Sequence, residues 1–254
     1  MGAFDRYESR ANVHGNTKRS AELIKEQRRL NLKTKESLSY FEALVDGVTR
    51  NVSIIDSDNL NEKKMLSLPG EDFVCGTLVE WADNHWLITE KDAHNEVYTR
   101  VKLLQCNYLL KWVDSEDVIH EQWCVVEDGT KYLTGELEDR KFIVTRGDSR
   151  IAITIGRNEF TAKFNRESRF IVDDSESEFK QAFLLTKPLK VGHTYNDKGI
   201  YIFVLQEVVT TDNDNLELGI ADYYKHFPKE TTVPDFDDPT VEGQTTPTGK
   251  KVWI

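Results

Sequence analysis

His120 and Cys124 stand four residues apart with His85 and His94 nearby in the chain, and imidazole and thiolate are the usual ligands of zinc. Both fall in a run that reads as a strand, where same-face residues four apart are too distant to chelate one ion unaided. They read as ordinary strand residues, and no metal site is expected. Asp212, Asp214 and Glu217 look like part of a calcium loop, but the sixth position counted from Asp212 is Glu217, where the sharp EF-hand turn demands glycine. A polar hairpin loop fits better. Arg146-Gly147-Asp148 spells an adhesion tripeptide, yet it lies between two apolar runs where a glycine-containing turn is needed in any case. The abundant carboxylates allow a facing pair of the kind a glycosidase uses, but spacing singles none out. The chain has no P-loop, no G-x-G-x-x-G, no G-x-S-x-G and no H-E-x-x-H. Neither an enzymatic activity nor a cofactor is expected.

Trp81, Trp86, Trp112 and Trp123 are the candidates for a sugar-stacking platform. Trp81 and Trp86 flank a tight turn and Trp112 ends a largely apolar strand, positions at which aromatic rings usually plug a small β domain. Cys75, Cys106 and Cys124 cannot all pair within the chain and form no C-x-x-C, which points to synthesis in a reducing compartment. The first residues are polar and charged, so no signal peptide and no membrane span are expected. Gly2 invites a myristoylation reading, but Arg6 stands where that motif wants Ser or Thr.

These residues must be held by a chain of 254 residues, 39% hydrophobic and 30% charged, which is a globular composition with room for two domains. The net charge of −11 is uneven: residues 1–36 carry nine Lys or Arg against five acids, a local +4 that leaves −15 for the remainder. An acidic body repels a polyanion, so DNA is expected to slide past it without sequence-specific binding.

Residues 17–35 combine good helix formers with a narrow apolar stripe of Leu23, Ile24 and Leu30. One basic helix is predicted, within an N-terminal arm spanning 1–36, lying across the β body or against a neighbouring subunit. From Tyr40 the apolar period becomes two, and Asp46-Gly47 supplies a type I′ hairpin turn. Strands are predicted at Phe73 to Trp81, Trp86 to Thr89, Val97 to Trp112 and Val118 to Val126, with tight turns at Asp83-Asn84 and Asp114 to Asp117. Such closely spaced strands favour a small β-barrel, here assigned to 37–136. A second series follows, with strands at Phe142 to Thr145, Ile151 to Ile155, Glu159 to Phe164, Arg169 to Val172, Phe179 to Leu185 and Ile200 to Val209. It approaches an immunoglobulin-like β-sandwich over 137–228, without the Cys, Trp, Cys hallmark. Residues 229–254 are rich in Thr, Pro and acid and read as a flexible tail ending in Lys250-Lys251-Val252-Trp253-Ile254. The fold class expected is therefore mainly β, with an N-terminal helix, a barrel, a sandwich and an extended tail.

Three segments carry a resemblance: GTLVEWADNHWLIT at Gly76 to Thr89, VYTRVKLLQCNYLLKW at Val97 to Trp112, and IHEQWCVVEDGTKYLTGE at Ile119 to Glu136. Together they resemble head-closure or head-to-tail joining proteins of tailed bacteriophages infecting Gram-positive hosts, in which a small β-barrel carries the strand pair after the G-x-L-V-x-W segment. The similarity spans roughly residues 40 to 136. It implies a virion structural protein made in the bacterial cytoplasm: a homo-oligomeric ring under the portal, contacting portal or adaptor and tail proteins. A loop of such a ring reaches into the channel and stops genome leakage after packaging. Compact members end near the start of the second β series, so stopper, adaptor, collar and tail-completion roles all stay open.

For a rotationally closed ring the residues to watch lie outside the β body. Leu23, Ile24, Leu30, Trp253 and Ile254 are expected at subunit interfaces. The long turn from Asn61 to Glu71, with Lys63, Lys64, Met65 and Leu66, is the candidate channel or interface loop, although a plain surface loop fits it equally. The competing class is a carbohydrate-binding or host-recognition module of a virion, which requires exposed, coplanar tryptophan rings.

Overall fold

The computed structural model describes residues 17–92, 95–128, 149–175, 180–190, 194–195 and 198–228, together with Gly2, Phe4 and Tyr7. The candidate strand at 142–145, the Arg146-Gly147-Asp148 tripeptide, His94, and Trp253 and Ile254 in the 229–254 tail lie outside the described residues.

Helix α1 runs from Lys18 to Lys35. Thr17 starts it with a reciprocal capping box: its Oγ1 accepts from the Ser20 amide at 3.2 Å, and Ser20 Oγ accepts from the Thr17 amide at 3.0 Å. Lys33 and Lys35 in the last turn complement the dipole. The helix thus closes its own ends, and none of its residues is buried. No helix among the described residues is long and apolar enough to cross a membrane.

Six strands then close into a barrel: β1 (Tyr40–Val45), β2 (Val48–Asp56), β3 (Glu62–Ser67), β4 (Leu78–Trp81), β5 (Asn84–Lys91) and β6 (Arg100–Gln105), in spatial order β1-β2-β3-β6-β5-β4. Asp46 and Gly47 take φ of 55° and 72°, the left-handed pair that the predicted hairpin required. The next hairpin differs by one residue from expectation. Trp81 pairs with Asn84, so the turn consists of Ala82 and Asp83, both at positive φ, rather than Asp83-Asn84. Phe73 and Cys75 are buried but precede β4 as irregular chain.

Within the segment 61–71, expected as a long turn, residues 62–67 form strand β3. Lys63, Lys64, Met65 and Leu66 belong to β3, which pairs with β2 on one side and β6 on the other, so this is barrel wall and not a loop. Met65 is completely buried in the barrel core. Lys64 stands on the exposed face, and Lys63 shares the face of Met65 and Ser67, so the strand's apolar period is broken.

The second sheet comprises β7 (Tyr108–Val113), β8 (Ile119–Asp128), β9 (Arg150–Gly156), β10 (Arg169–Ile171), β11 (Ala182–Leu189), β12 (Thr194–Tyr195) and β13 (Lys198–Val208). Its order is β10-β11-β13-β9-β8-β7, with β12 attached to β13. Since β7 and β8 belong here, the chain passes from the barrel to the second sheet at Cys106 and Asn107, while Glu136 lies outside the described residues. The run Val97 to Trp112 is accordingly two strands in two different sheets. Among the described residues the second unit is one seven-stranded sheet. Tyr108 draws its free edges together: its hydroxyl donates to the Ile171 carbonyl on β10 at 3.2 Å and accepts from the Asp173 amide at 3.4 Å. Residues 159–164, expected as a strand, form a turn and a 3₁₀ segment at Thr161–Lys163 that covers one end of the core with Phe164.

A third apolar cluster welds the units together. Leu87 and Cys106 from the first half meet Val125 and Ile200 from the second, with Leu78, Leu104 and Trp123 around them. Burying Leu87 alone is worth about 2 kcal/mol. Backbone approach is closest at three glycines: a Cβ on Gly76 would lie 1.8 Å from the Gly199 carbonyl oxygen, and one on Gly156 would lie 2.4 Å from that of Gly76. Gly76 also sits at φ 85°, where a side chain is strained. Lys198 pairs with Asp46 across the joint, and His85 stacks on Trp123 at 4.3 Å.

Candidate interaction site

An aromatic-floored concavity lies at one end of the second sheet. A cleft of about 240 Å³ is bounded by the β7–β8 turn, the 160–168 segment, the start of β10 and the chain at 221–226. Trp112, Phe160, Phe164 and Phe170 give it an apolar floor, and Ser115, Glu167, Asp222 and His226 stand among its polar rim residues.

Its first wall is organised by Asp114. One carboxylate oxygen accepts from the amides of Glu116 and Val118 at 2.8 and 3.0 Å, which shapes the turn. The other lies 2.7 Å from His120 Nε2. The His120 bond, reinforced by the Val118 amide, holds the Asp114 carboxyl down at about 2. The His120 ring stacks on Phe160 at 4.0 Å and lies 5.7 Å from Trp112. Both oxygens of Asp114 are therefore committed to its own hairpin, and His120 is fixed as a packed ring.

The opposite wall is an ionic clamp. Arg169 grips Asp214 through two parallel bonds of 3.0 and 2.9 Å and reaches Asp222 at 2.8 Å. Burial alone raises the Asp214 carboxyl, but the amides of Asp222 and Thr211 together with Arg169 more than reverse this and leave it below the usual carboxylate range. With its side chain fully covered and its oxygens spent on these donors, Asp214 fastens the 209–228 segment to the sheet. It is not a free ligand of a calcium loop. Helix α2 (Tyr223–His226) follows, and His226 Nδ1 lies 2.7 Å from Asp117 Oδ1.

The remaining candidates are dispersed. Cys124 is buried in the second core while His120 faces Asp114, so the two share no site. Among the described residues, no group of three or more His, Cys, Asp or Glu is placed to hold a metal. All three thiols are free and buried, and burial pushes Cys106 up to about 12 and raises Cys75 and Cys124 as well. A protonated, enclosed thiol is a poor nucleophile. Trp86 and Trp112 are only 4% and 5% exposed, Trp123 is covered by His85, and Trp81 and Trp86 are tilted 47° apart. These rings are used in packing. Lys63 is paired with Asp56 at 2.6 Å.

Leu23, Ile24 and Leu30 are half-buried on α1. The helix is tied to the barrel by Arg19 and Gln27, which bond the Glu96 carboxylate at 2.7 Å and the Glu96 carbonyl at 3.1 Å. Sequence reasoning placed the acidic turn at 114–117 but missed the cleft, because the Asp114–His120 bond follows from the register that sets Trp112 opposite His120.

No family model matches the chain, and no curated protein matches it. Among solved structures, that of K. pneumonia MrkH in its apo state aligns with 9% identity over 76% of this chain and 86% of that one, at a TM-score of 0.18. A likeness at that level carries no argument about this chain.

Proposed function

We propose that the chain is a non-catalytic structural subunit of a tailed-phage virion, acting at the head-to-tail junction in a ring that closes the portal channel and joins head to tail. One observation carries this reading: a rigid body of two β units, welded through Leu87, Cys106, Val125 and Ile200, bears a self-capped basic helix with no buried residue. Such a helix contributes little to its own subunit, and a neighbour that covers Leu23, Ile24 and Leu30 would gain apolar contact that the free chain leaves half open. The resemblance of roughly residues 40 to 136 to head-closure and joining proteins supports the same reading. Its partners are copies of itself, portal or adaptor proteins and tail proteins, with phage DNA passing the acidic wall unbound.

Native mass spectrometry of the purified chain, with immunogold labelling of intact particles, tests the proposal. A ring-sized oligomer and label at the neck of the particle are expected. A monomer that is absent from virions overturns it.

A further inference from the structure

The cleft has a size that selects its occupant. At about 240 Å³ it is smaller than the roughly 300–1,000 Å³ typical of small-molecule sites, and it suits one large side chain. Its floor of Trp112, Phe160, Phe164 and Phe170 suits an aromatic ring. Rim oxygens of Ser115, Ser168 and Glu167 offer acceptors to an indole N–H, which needs one when buried.

The chain itself carries a matching group. Four of its five tryptophans are placed in or against the cores, and the fifth is Trp253, in Lys250-Lys251-Val252-Trp253-Ile254. The lead to that segment starts at the cleft: His226 lines the rim, and Pro228 follows two residues later. The 25 residues from Pro228 to Trp253 are enough chain to span up to about 80 Å if fully extended, so their length allows a return to the cleft. Glu167 of the cleft and Glu116 of the adjoining turn offer carboxylates that would complement Lys250 and Lys251 of a segment seated there.

We infer that the cleft is a docking site for the chain's own C-terminal segment, with the Trp253 indole seated on the Trp112 and Phe160 floor. Tethering makes modest affinity sufficient: at an effective concentration on the order of 1 mM, a site with a Kd of about 100 μM is about 90% filled. The inference does not depend on the phage assignment and holds or fails for the isolated chain.

A bimane fluorophore attached through S115C on the rim reads the site, because tryptophan quenches it on contact and the native cysteines are buried. Emission is expected to rise in W253F and in a chain ending at residue 249, and to stay quenched when labelled native chain is diluted into excess unlabelled W253F chain, which has no quencher to lend. Equal emission in the full chain and W253F overturns the inference, and recovery on dilution overturns it in favour of a neighbouring copy's segment. As a label-free second measurement, a peptide of residues 248–254 is titrated by calorimetry into the chain ending at 249. It is expected to bind, whereas the same peptide carrying W253A is not. Failure of the native peptide to bind, or equal binding of both, also overturns the inference.

Discussion

Asp214 shows how one side chain decides whether the last 20 or so residues of the described fold stay attached, since its carboxylate joins Arg169 on β10 to the amides of Thr211 and Asp222. Asp214→Ala leaves the guanidinium with Asp222 as its carboxylate partner, beside Thr211 Oγ1 and the Val209 carbonyl, and frees two amides; removal of one partner from a covered pair costs about 3–5 kcal/mol. Urea denaturation should show that loss. The pH dependence has a definite sign. The folded carboxyl lies below the unfolded value of about 3.9, so its stabilisation is full above that pH and fades as pH falls through the folded value. Asp114 adds to the same acid-side loss, toward its own value of about 2. Native protein should lose stability below about pH 4, with Asp214→Ala losing less on the way down. At the β4–β5 turn the opposite kind of change is available. Ala82 holds φ 53°, a region costly for any residue with a Cβ. Ala82→Gly should raise stability by about 0.5–1 kcal/mol, read as a higher thermal midpoint.

At the scale of elements, what was legible followed from local periodicity. The capped helix, the Asp46-Gly47 hairpin and the strands containing Trp86 to Thr89 and Ile151 to Ile155 each have a pattern that requires no distant partner. The joint was not legible for the converse reason. Leu103 and Leu104 are both apolar because β6 is covered on both faces, by the barrel core on one side and the second unit on the other. Trp86, Leu87 and Ile88 are consecutively buried for the same reason. Two-sided burial merges β6 and β7 into one apolar run, and nothing in that run announces that Cys106 and Asn107 change sheets. The cleft was hidden similarly, since Trp112, Phe160 and Asp222 meet only through long-range register. The joint's weak point is Gly76. Gly76→Ala drives a methyl into the Gly199 carbonyl at a positive φ, and strain and overpacking of this kind together cost about 3 kcal/mol. Chemical denaturation should give a lower midpoint, and a shallower or two-step transition would show the units uncoupling.

For the whole molecule, the question is whether a body that folds by itself carries contacts meant for others. Stability resides in the two cores and the joint, and α1 adds to none of them. Replacing Leu23, Ile24 and Leu30 together with alanine keeps helix propensity, because alanine is the best helix former, and leaves the Thr17–Ser20 cap intact. Changes at sites this far from the cores should alter the unfolding free energy by no more than about 0.5 kcal/mol each. If the helix serves only its own subunit, nothing further should change. If it is an arm of a ring, the triple variant should keep native circular dichroism while its mass in native spectrometry falls from the oligomer to the single chain. The two outcomes separate because an interface that repeats around a ring multiplies a small loss per contact by the number of subunits. A variant that stays fully assembled at the concentration where the native chain does would remove α1 from the interface and leave the β units to supply it.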